Sequence, residues 1–215
     1  MQARRVGKVS LFVVAALVAS CAAPVVSFEP RSRTFTPDDY WRVYERWTRE
    51  ERAFAWGKLS DVLSVTATFE SWEFRTAYLV RYAHDHGLTL DERDELLAAS
   101  LEDAREYHRF FVTLVGPNFR ESDLTSRRAA FRVLLVDDDE RMTPPARIEK
   151  VHRASPAERI YFPSITSQRM TFRIAFPAVR EDGTPTIAPD AARIRLRFTG
   201  AEGRVDLEWL AADPG

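Results

Sequence analysis

The stretch RIRLRFTGAEGRVDLEWL, Arg193 to Leu210, alternates charged and apolar residues on both sides of a glycine-bounded turn. Strict alternation marks a half-buried strand, and two such runs around a short Gly-containing turn mark an antiparallel hairpin. With Gly200-Ala201-Glu202-Gly203 as the turn, one register satisfies both faces. It sets Arg197 opposite Asp206 and Arg195 opposite Glu208, while Leu196 meets Leu207 and Ile194 meets Trp209. Cross-strand pairs of this kind contribute roughly 0.2–1 kcal/mol each. A one-residue slip turns the whole apolar set to solvent, so the register is strongly specified. Taken alone, Arg193, Arg195 and Arg197 suggest an anionic partner such as lipopolysaccharide or the acids of peptidoglycan stems. The complementary acids on the next strand make cross-strand pairing the better explanation.

Further strands are expected at 62–69, 108–115, 130–136, 146–152 and 169–176, separated by Gly, Pro and Asp clusters. Within the first, Val65, Ala67 and Phe69 share one side and Thr66 and Thr68 the other. Helices are confined to the N-terminal half. Thr36-Pro37-Asp38-Asp39 combines an N-cap, a first-turn proline and first-turn acids. Tyr40, Val43, Tyr44 and Trp47 then repeat at helical spacing, and the helix is expected to fray within Thr48 to Arg52, with Gly57 as punctuation. Ser71 caps a second helix that closes at Gly87, and Thr89-Leu90-Asp91-Glu92 opens a third with a capping box. Only Gly87 and Leu88 separate these two, so they form a tight αα-hairpin inserted at about 71–106 between two strands. The fold class expected is α+β: an antiparallel β-sandwich with an N-terminal helix and an inserted αα-hairpin, spanning 36–215 as one domain. Trp41, Trp47 and Trp72 lie in or beside the helices, and core packing is the expected role of at least two.

The N-terminus carries an address. Arg4, Arg5 and Lys8 precede the apolar run from Val9 to Ala19, the layout of a secretory signal and too short for a membrane span. Val18-Ala19-Ser20-Cys21 resembles the lipobox of bacterial lipoproteins. The resemblance implies a signal peptide over 1–20, cleavage before Cys21 and lipidation of Cys21. It further implies a membrane partnership through the N-terminal lipid and a lipid-anchored place in the cell envelope. Ala22 after the cysteine implies the outer membrane if the host is Gram-negative. Residues 21–35, with Pro24 and Pro30 and no clear period, read as a tether. The body, through FRVLLVDDDERMTPPARI (Phe131–Ile148) and the opening stretch, is similar to uncharacterised lipoproteins of GC-rich bacteria, a likeness that brings no activity with it.

Cys21 is the one cysteine, so a lipidated chain keeps no thiol for a disulfide, a thiolate metal site or a nucleophile. Beyond the three leader cations, 28 basic residues face 32 acidic ones, a formal charge of −4. That balance argues against nucleic acid, whose binding needs a basic footprint. With five Trp and fourteen Phe the chain has the means to build a core without disulfides.

Chemistry-bearing clusters are few. His84-Asp85-His86 is a weak metal signal, since residues two apart on a helix diverge and the zinc spacing is i, i+4. Its place before Gly87 fits a helix C-terminus, where His meets the negative end of the dipole. Asp137-Asp138-Asp139-Glu140 lacks the alternation and central Gly of a calcium loop and reads as a solvated turn guarding a sheet edge. His108 and His152 fall in expected strands with nothing to mark them as partners. Nucleophile elbows, phosphate loops and dinucleotide fingerprints are absent, and Glu70 with Glu73 is an acid pair of a common surface kind. No catalytic residue, metal ligand or cofactor is therefore named. The functional expectation is a non-catalytic, membrane-anchored binding or scaffold module, with an envelope protein or cell-wall polymer as partner. Two alternatives stand beside it: a ligand- or carbohydrate-binding lipoprotein, and an envelope hydrolase with a carboxylate-based site.

Overall fold

A computed structural model describes residues 24–30, 33–55, 60–116, 118 and 120–211. Cys21, the signal sequence and Gly57 lie outside the described residues. Strands β1 (Thr48–Ala55), β2 (Ser60–Phe69), β3 (Tyr107–Val115), β6 (Arg147–Lys150) and β7 (Met170–Pro177) form one sheet in the order β1-β2-β3-β7-β6. Strands β4 (Phe131–Val136), β5 (Met142–Thr143), β8 (Arg193–Gly200) and β9 (Gly203–Leu210) form a second in the order β5-β4-β8-β9. Every strand pairing is antiparallel. The two sheets share one hydrophobic core, with the Trp209 ring of β9 lying 5.4 Å from Phe110 of β3 and 6.4 Å from Phe69 of β2. The fold is α+β.

The β8–β9 register is the one expected, with Ile194 opposite Trp209, Leu196 opposite Leu207 and Arg197 opposite Asp206. Ile194, Leu196, Phe198, Val205, Leu207 and Trp209 are all buried. The Arg stripe is consumed by acids: Arg197 pairs with Asp206, Arg195 with Glu140, and Arg193 lies 3.7 Å from Glu208.

Helix α1 (Tyr40–Trp47) follows a 3₁₀ turn over Pro37–Asp39 and buries the expected stripe of Tyr40, Val43, Tyr44 and Trp47. Where fraying is expected, the chain instead passes straight into β1, with Thr48 opposite Thr68 and Arg52 opposite Ser64. TREERAFA hides its strand character because β1 is a sheet edge, where charged side chains are tolerated and block further pairing. Helix α4 (Pro156–Tyr161), which the sequence reading leaves out, has its own capping box between Ser155 and Glu158.

The outer face of the five-stranded sheet is covered as well. Phe162 stacks on Phe111 at 3.9 Å, and Tyr40, Phe74, Tyr78 and Tyr161 pack around it from α1, α2 (Trp72–His86) and α4. The polar side of β2 is thus buried rather than wet. Ser64 and Thr66 accept hydrogen bonds from the Arg169 guanidinium at 2.9 and 2.5 Å, and the Thr48 and Thr68 hydroxyls pair at 2.8 Å. Satisfying those hydroxyls is what lets a threonine face enter the interior.

Much of the stretch read as a tether lies on the domain. The Val26 N–H donates to the Leu210 carbonyl at 2.8 Å, and Val26 and Phe35 are buried. Arg49 clamps the segment: its Nη2 donates to the Pro24 carbonyl and its Nε to the Glu208 carbonyl, both at 2.8 Å. The Asp137–Glu140 turn is likewise no free loop. Asp137 is buried against Arg141 and Arg180, and Asp138 accepts the backbone N–H groups of Ala192 and Arg193. Asp137 alone is buried, while Asp139 and Glu140 stay largely exposed and pair with Arg141 and Arg195 at the surface.

Candidate functional site

Helices α2 and α3 (Leu90–Glu106) form the inserted hairpin between the paired strands β2 and β3, as expected. Ser71 accepts from the Phe74 N–H, and Gly87 ends α2 at φ 65°, the left-handed conformation that glycine adopts without strain. His84, Asp85 and His86 form that last turn: His86 meets the Tyr82 carbonyl and stacks on the Tyr82 ring, while Asp85 holds Arg81 and the Tyr161 hydroxyl. Arg81 leads in keeping the Asp85 carboxyl down near 2. Among the described residues no group of three His, Cys, Asp or Glu comes together as a metal site.

Where α3 returns to the sheet, it closes a pocket of about 440 Å³, a size typical of small-molecule sites. Five pieces of the chain wall it in, two of them, the end of α3 and the start of β3, continuous in sequence. They are the N-terminal piece at Phe28 and Pro30, the end of β2 with Trp72, Leu101 and Ala104 of α3, His108 of β3, and the β7–β8 connection at Ile187 and Ala188. The connection is tied on by the Ala178 N–H donating to the Glu106 carbonyl and the Thr186 N–H donating to the Ala178 carbonyl, each at 2.8 Å. The lining is mainly apolar, with Glu29, Glu70 and Arg105 as its charged members.

Polar atoms in this wall are left over. The Trp72 Nε1 and His108 Nε2 atoms are buried without a hydrogen-bond partner. Behind them Arg75 bridges the hairpin: Nε donates to the Glu70 carbonyl at 2.8 Å, and Nη1 donates to the Ser100 carbonyl at 2.7 Å and to Asp103 at 2.9 Å. Its Nη2 is also buried and unpartnered. Burial first, and the Arg75 charge second, push His108 down to about 4, so its ring is neutral at pH 7. Asp103 is held below the usual carboxylate range by hydrogen bonds from Arg109 and Arg75 that outweigh its partial burial.

The acid pair Glu70–Glu73 is spent on structure. Glu73 is buried and accepts from Arg33 at 3.2 Å, Arg46 at 2.7 Å and the Trp47 indole at 2.7 Å. Glu70 lies 3.4 Å from Arg173. Of the tryptophans weighed from sequence, Trp47 is fully buried, Trp72 packs half-buried at the pocket and Trp41 is 40% exposed. Trp72 and His108 gain meaning only from the pocket, since nothing in their local sequence announces five converging segments.

No family model, curated protein or solved structure matches the chain. Among the described residues, no helix is long and apolar enough to cross a membrane.

Proposed function

We propose that this protein is a lipid-anchored, non-catalytic binding module of the cell envelope, and that its site is the pocket under the α2–α3 hairpin. The observation that carries the reading is the character of that pocket: a half-open, mainly apolar hollow beside which Glu70 and Asp103 are committed to ion pairs. A hydrolase built on carboxylates needs an acid and a base within hydrogen-bond reach of one substrate atom. Glu73, the better buried of the acid pair, instead holds Arg33, Arg46 and Trp47. Anchoring rests on the Val18–Cys21 motif. One acyl chain binds a membrane only marginally and two or three bind stably. The docking of residues 24–30 on the domain would hold the folded part near the bilayer, with only Ala22 and Ala23 between Cys21 and Pro24.

The test is fractionation of cells producing the wild-type chain or Cys21→Ser, followed by intact-mass analysis of the membrane-extracted protein. Acyl mass on a chain that starts at Cys21, and its loss with release of the Cys21→Ser protein, is the expected result. An unacylated mature chain, or one starting elsewhere, removes the anchor. Turnover of an envelope substrate that is lost on a single Asp or Glu substitution removes the binding assignment.

A further inference from the structure

We infer that the edge of the sandwich along β6 binds an acidic cell-wall polymer, a chain that carries carboxylates or phosphates at intervals. The inference goes beyond the hairpin pocket and names a partner class for the proposed envelope role, on which it rests.

The observation is a segregation of charge. Arg120, Arg127, Arg128, Arg132, Arg153 and Arg159 are exposed, and none of them makes an ion pair among the described residues. Every other described arginine meets a carboxylate, except Arg49, whose donors go to backbone carbonyls. The six fall in two segments, 120–132 and 147–159, which together carry a formal +4 in a chain that is −4 beyond its leader. Their acids are mostly taken. Asp123 holds Lys150 at 2.5 Å, Glu149 holds Arg147 at 3.1 Å and Glu158 holds Arg173 at 2.8 Å.

The fold brings the two segments to one place. The Asp123–Lys150 pair ties the loop before β4 to the end of β6, and two hollows open along that strand. Arg127 and Arg132 line one of about 390 Å³ at Ile148. Lys150, Arg153 and Arg159 line the other, of about 570 Å³, where Arg159 is steadied by donating from Nη2 to the Ala154 carbonyl at 3.0 Å. Among the described residues no Asp or Glu lines either hollow. Guarding a sheet edge takes charge of either sign, paired or not. Unpaired arginines gathered at one edge repel one another instead, and a field of one sign attracts its opposite. A guanidinium takes a carboxylate or phosphate through two parallel N–H groups, so acids spaced along one chain suit a row of them.

Position decides against the bilayer as that partner. Val26 docks on β9, which Arg49 joins to β1, and β6 stands at the far end of the sheet order from β1. The basic edge is therefore opposite the edge that holds the N-terminal segment.

The test uses the full chain with Cys21→Ser, which carries no lipid, and sediments it with purified sacculi from a wall that bears phosphodiester polymers. In one arm the wall carboxylates are amidated with carbodiimide, and in a second the phosphodiesters are cleaved with hydrofluoric acid. A third arm replaces sacculi with vesicles rich in phosphatidylglycerol. Expected is saturable cosedimentation that weakens about tenfold or more between about 50 and 200 mM salt. It should be lost in at least one treated wall, which tells carboxylate from phosphate. Arg127→Gln with Arg132→Gln, and Arg153→Gln with Arg159→Gln, are each expected to weaken binding about tenfold. Circular dichroism should not change, because removing these charges strands no acid. Arg42→Gln with Arg52→Gln, which takes the same charge from α1 and β1, is expected to leave binding unchanged. Binding that both edge pairs leave intact, that the control pair weakens equally, or that survives both treatments overturns the assignment. Equal or tighter binding to vesicles also overturns it and makes the partner a membrane surface. Release of soluble wall fragments overturns the non-catalytic role instead and leaves the polymer as ligand. A failure of anchoring leaves the result untouched, because the chain tested is unlipidated.

Discussion

Arg197 and Asp206 face each other across the β8–β9 ladder, joined by two parallel hydrogen bonds of 2.8 and 2.9 Å from Nε and Nη2. Arg197 is only 6% exposed, so its charge depends on that one carboxylate for compensation. Breaking a buried pair from one side strands the other charge, which typically costs 3–5 kcal/mol. Asp206 retains some access to water, so Asp206→Ala is expected to lower unfolding free energy by about 2–4 kcal/mol. The double change Arg197→Met with Asp206→Val, which removes both charges, is expected to recover most of that in urea titrations. Burial alone would raise the Asp206 carboxyl, but the Arg197 hydrogen bonds outweigh it and hold it low. Its contribution is therefore present above the ordinary Asp range and is lost as pH falls through the lowered value.

That pair also shows how much could be read without coordinates. Alternation and a two-glycine turn fixed the β8–β9 register to the residue, because Ile194, Leu196 and Phe198 each had an apolar partner and Arg195 and Arg197 each faced an acid. The caps at Ser71 and Thr89 and the stop at Gly87 were equally legible, since they are local chemistry. Strand β1 was not, because an edge strand needs no apolar alternation. The fate of Asp137–Glu140 depended on Arg180, about forty residues away in sequence, and could not be read locally. The pocket escaped entirely. Its wall joins Phe28, Trp72, Leu101, His108 and Ile187, and no one of these is unusual in its own stretch.

Arg49 is the clasp of the N-terminal segment. It donates to the carbonyls of Pro24, Arg46, Thr48 and Glu208, and its guanidinium lies 5.7 Å from the Trp209 ring centre. Arg49→Ala is expected to release residues 24–30 while the sandwich stays folded. Hydrogen exchange at the Val26 N–H, which donates to Leu210, should accelerate at least about tenfold, the equivalent of one lost hydrogen bond to a charged group. Exchange in β3 and β8 should change far less. Equal acceleration throughout would mean that Arg49 stabilises the fold as a whole rather than the segment.

His108 should make the protein sensitive to mild acid. Its ring is held near 4 by burial and by Arg75, against an ordinary value of 6.5. Above 6.5 the ring is neutral whether folded or not, and it contributes no pH dependence. Between 6.5 and about 4 the unfolded chain takes a proton that the folded chain refuses, so stability is lost as pH falls across that window. The loss is on the order of 2–3 kcal/mol between pH 7 and pH 4. Urea titrations at both pH values should show that loss in the wild type and a smaller one in His108→Leu. A His108 ring signal that titrates above pH 6 in the folded protein would refute the assignment.

Helix α3 should be the first regular element to open. Its termini are well made, since Thr89 and Glu92 exchange capping hydrogen bonds and Asp103 binds both Arg75 and Arg109. Its packing is poor by comparison, because it has no buried residue and Leu90 and Leu96 are largely in water. Caps and isolated ion pairs contribute about 1 kcal/mol each, and in folded proteins most helical stability comes from packing instead. Local opening therefore needs only the hairpin contacts to break and leaves the sheets intact. Native-state hydrogen exchange should give α3 amides a lower opening free energy than those of α2, with a weak dependence on denaturant. Asp103→Asn, which weakens both arginine contacts, is expected to lower the α3 value by about 1–2 kcal/mol more than that of β3. If α3 exchanges only through global unfolding, with the same denaturant slope as β3, then it is an integral part of the sandwich.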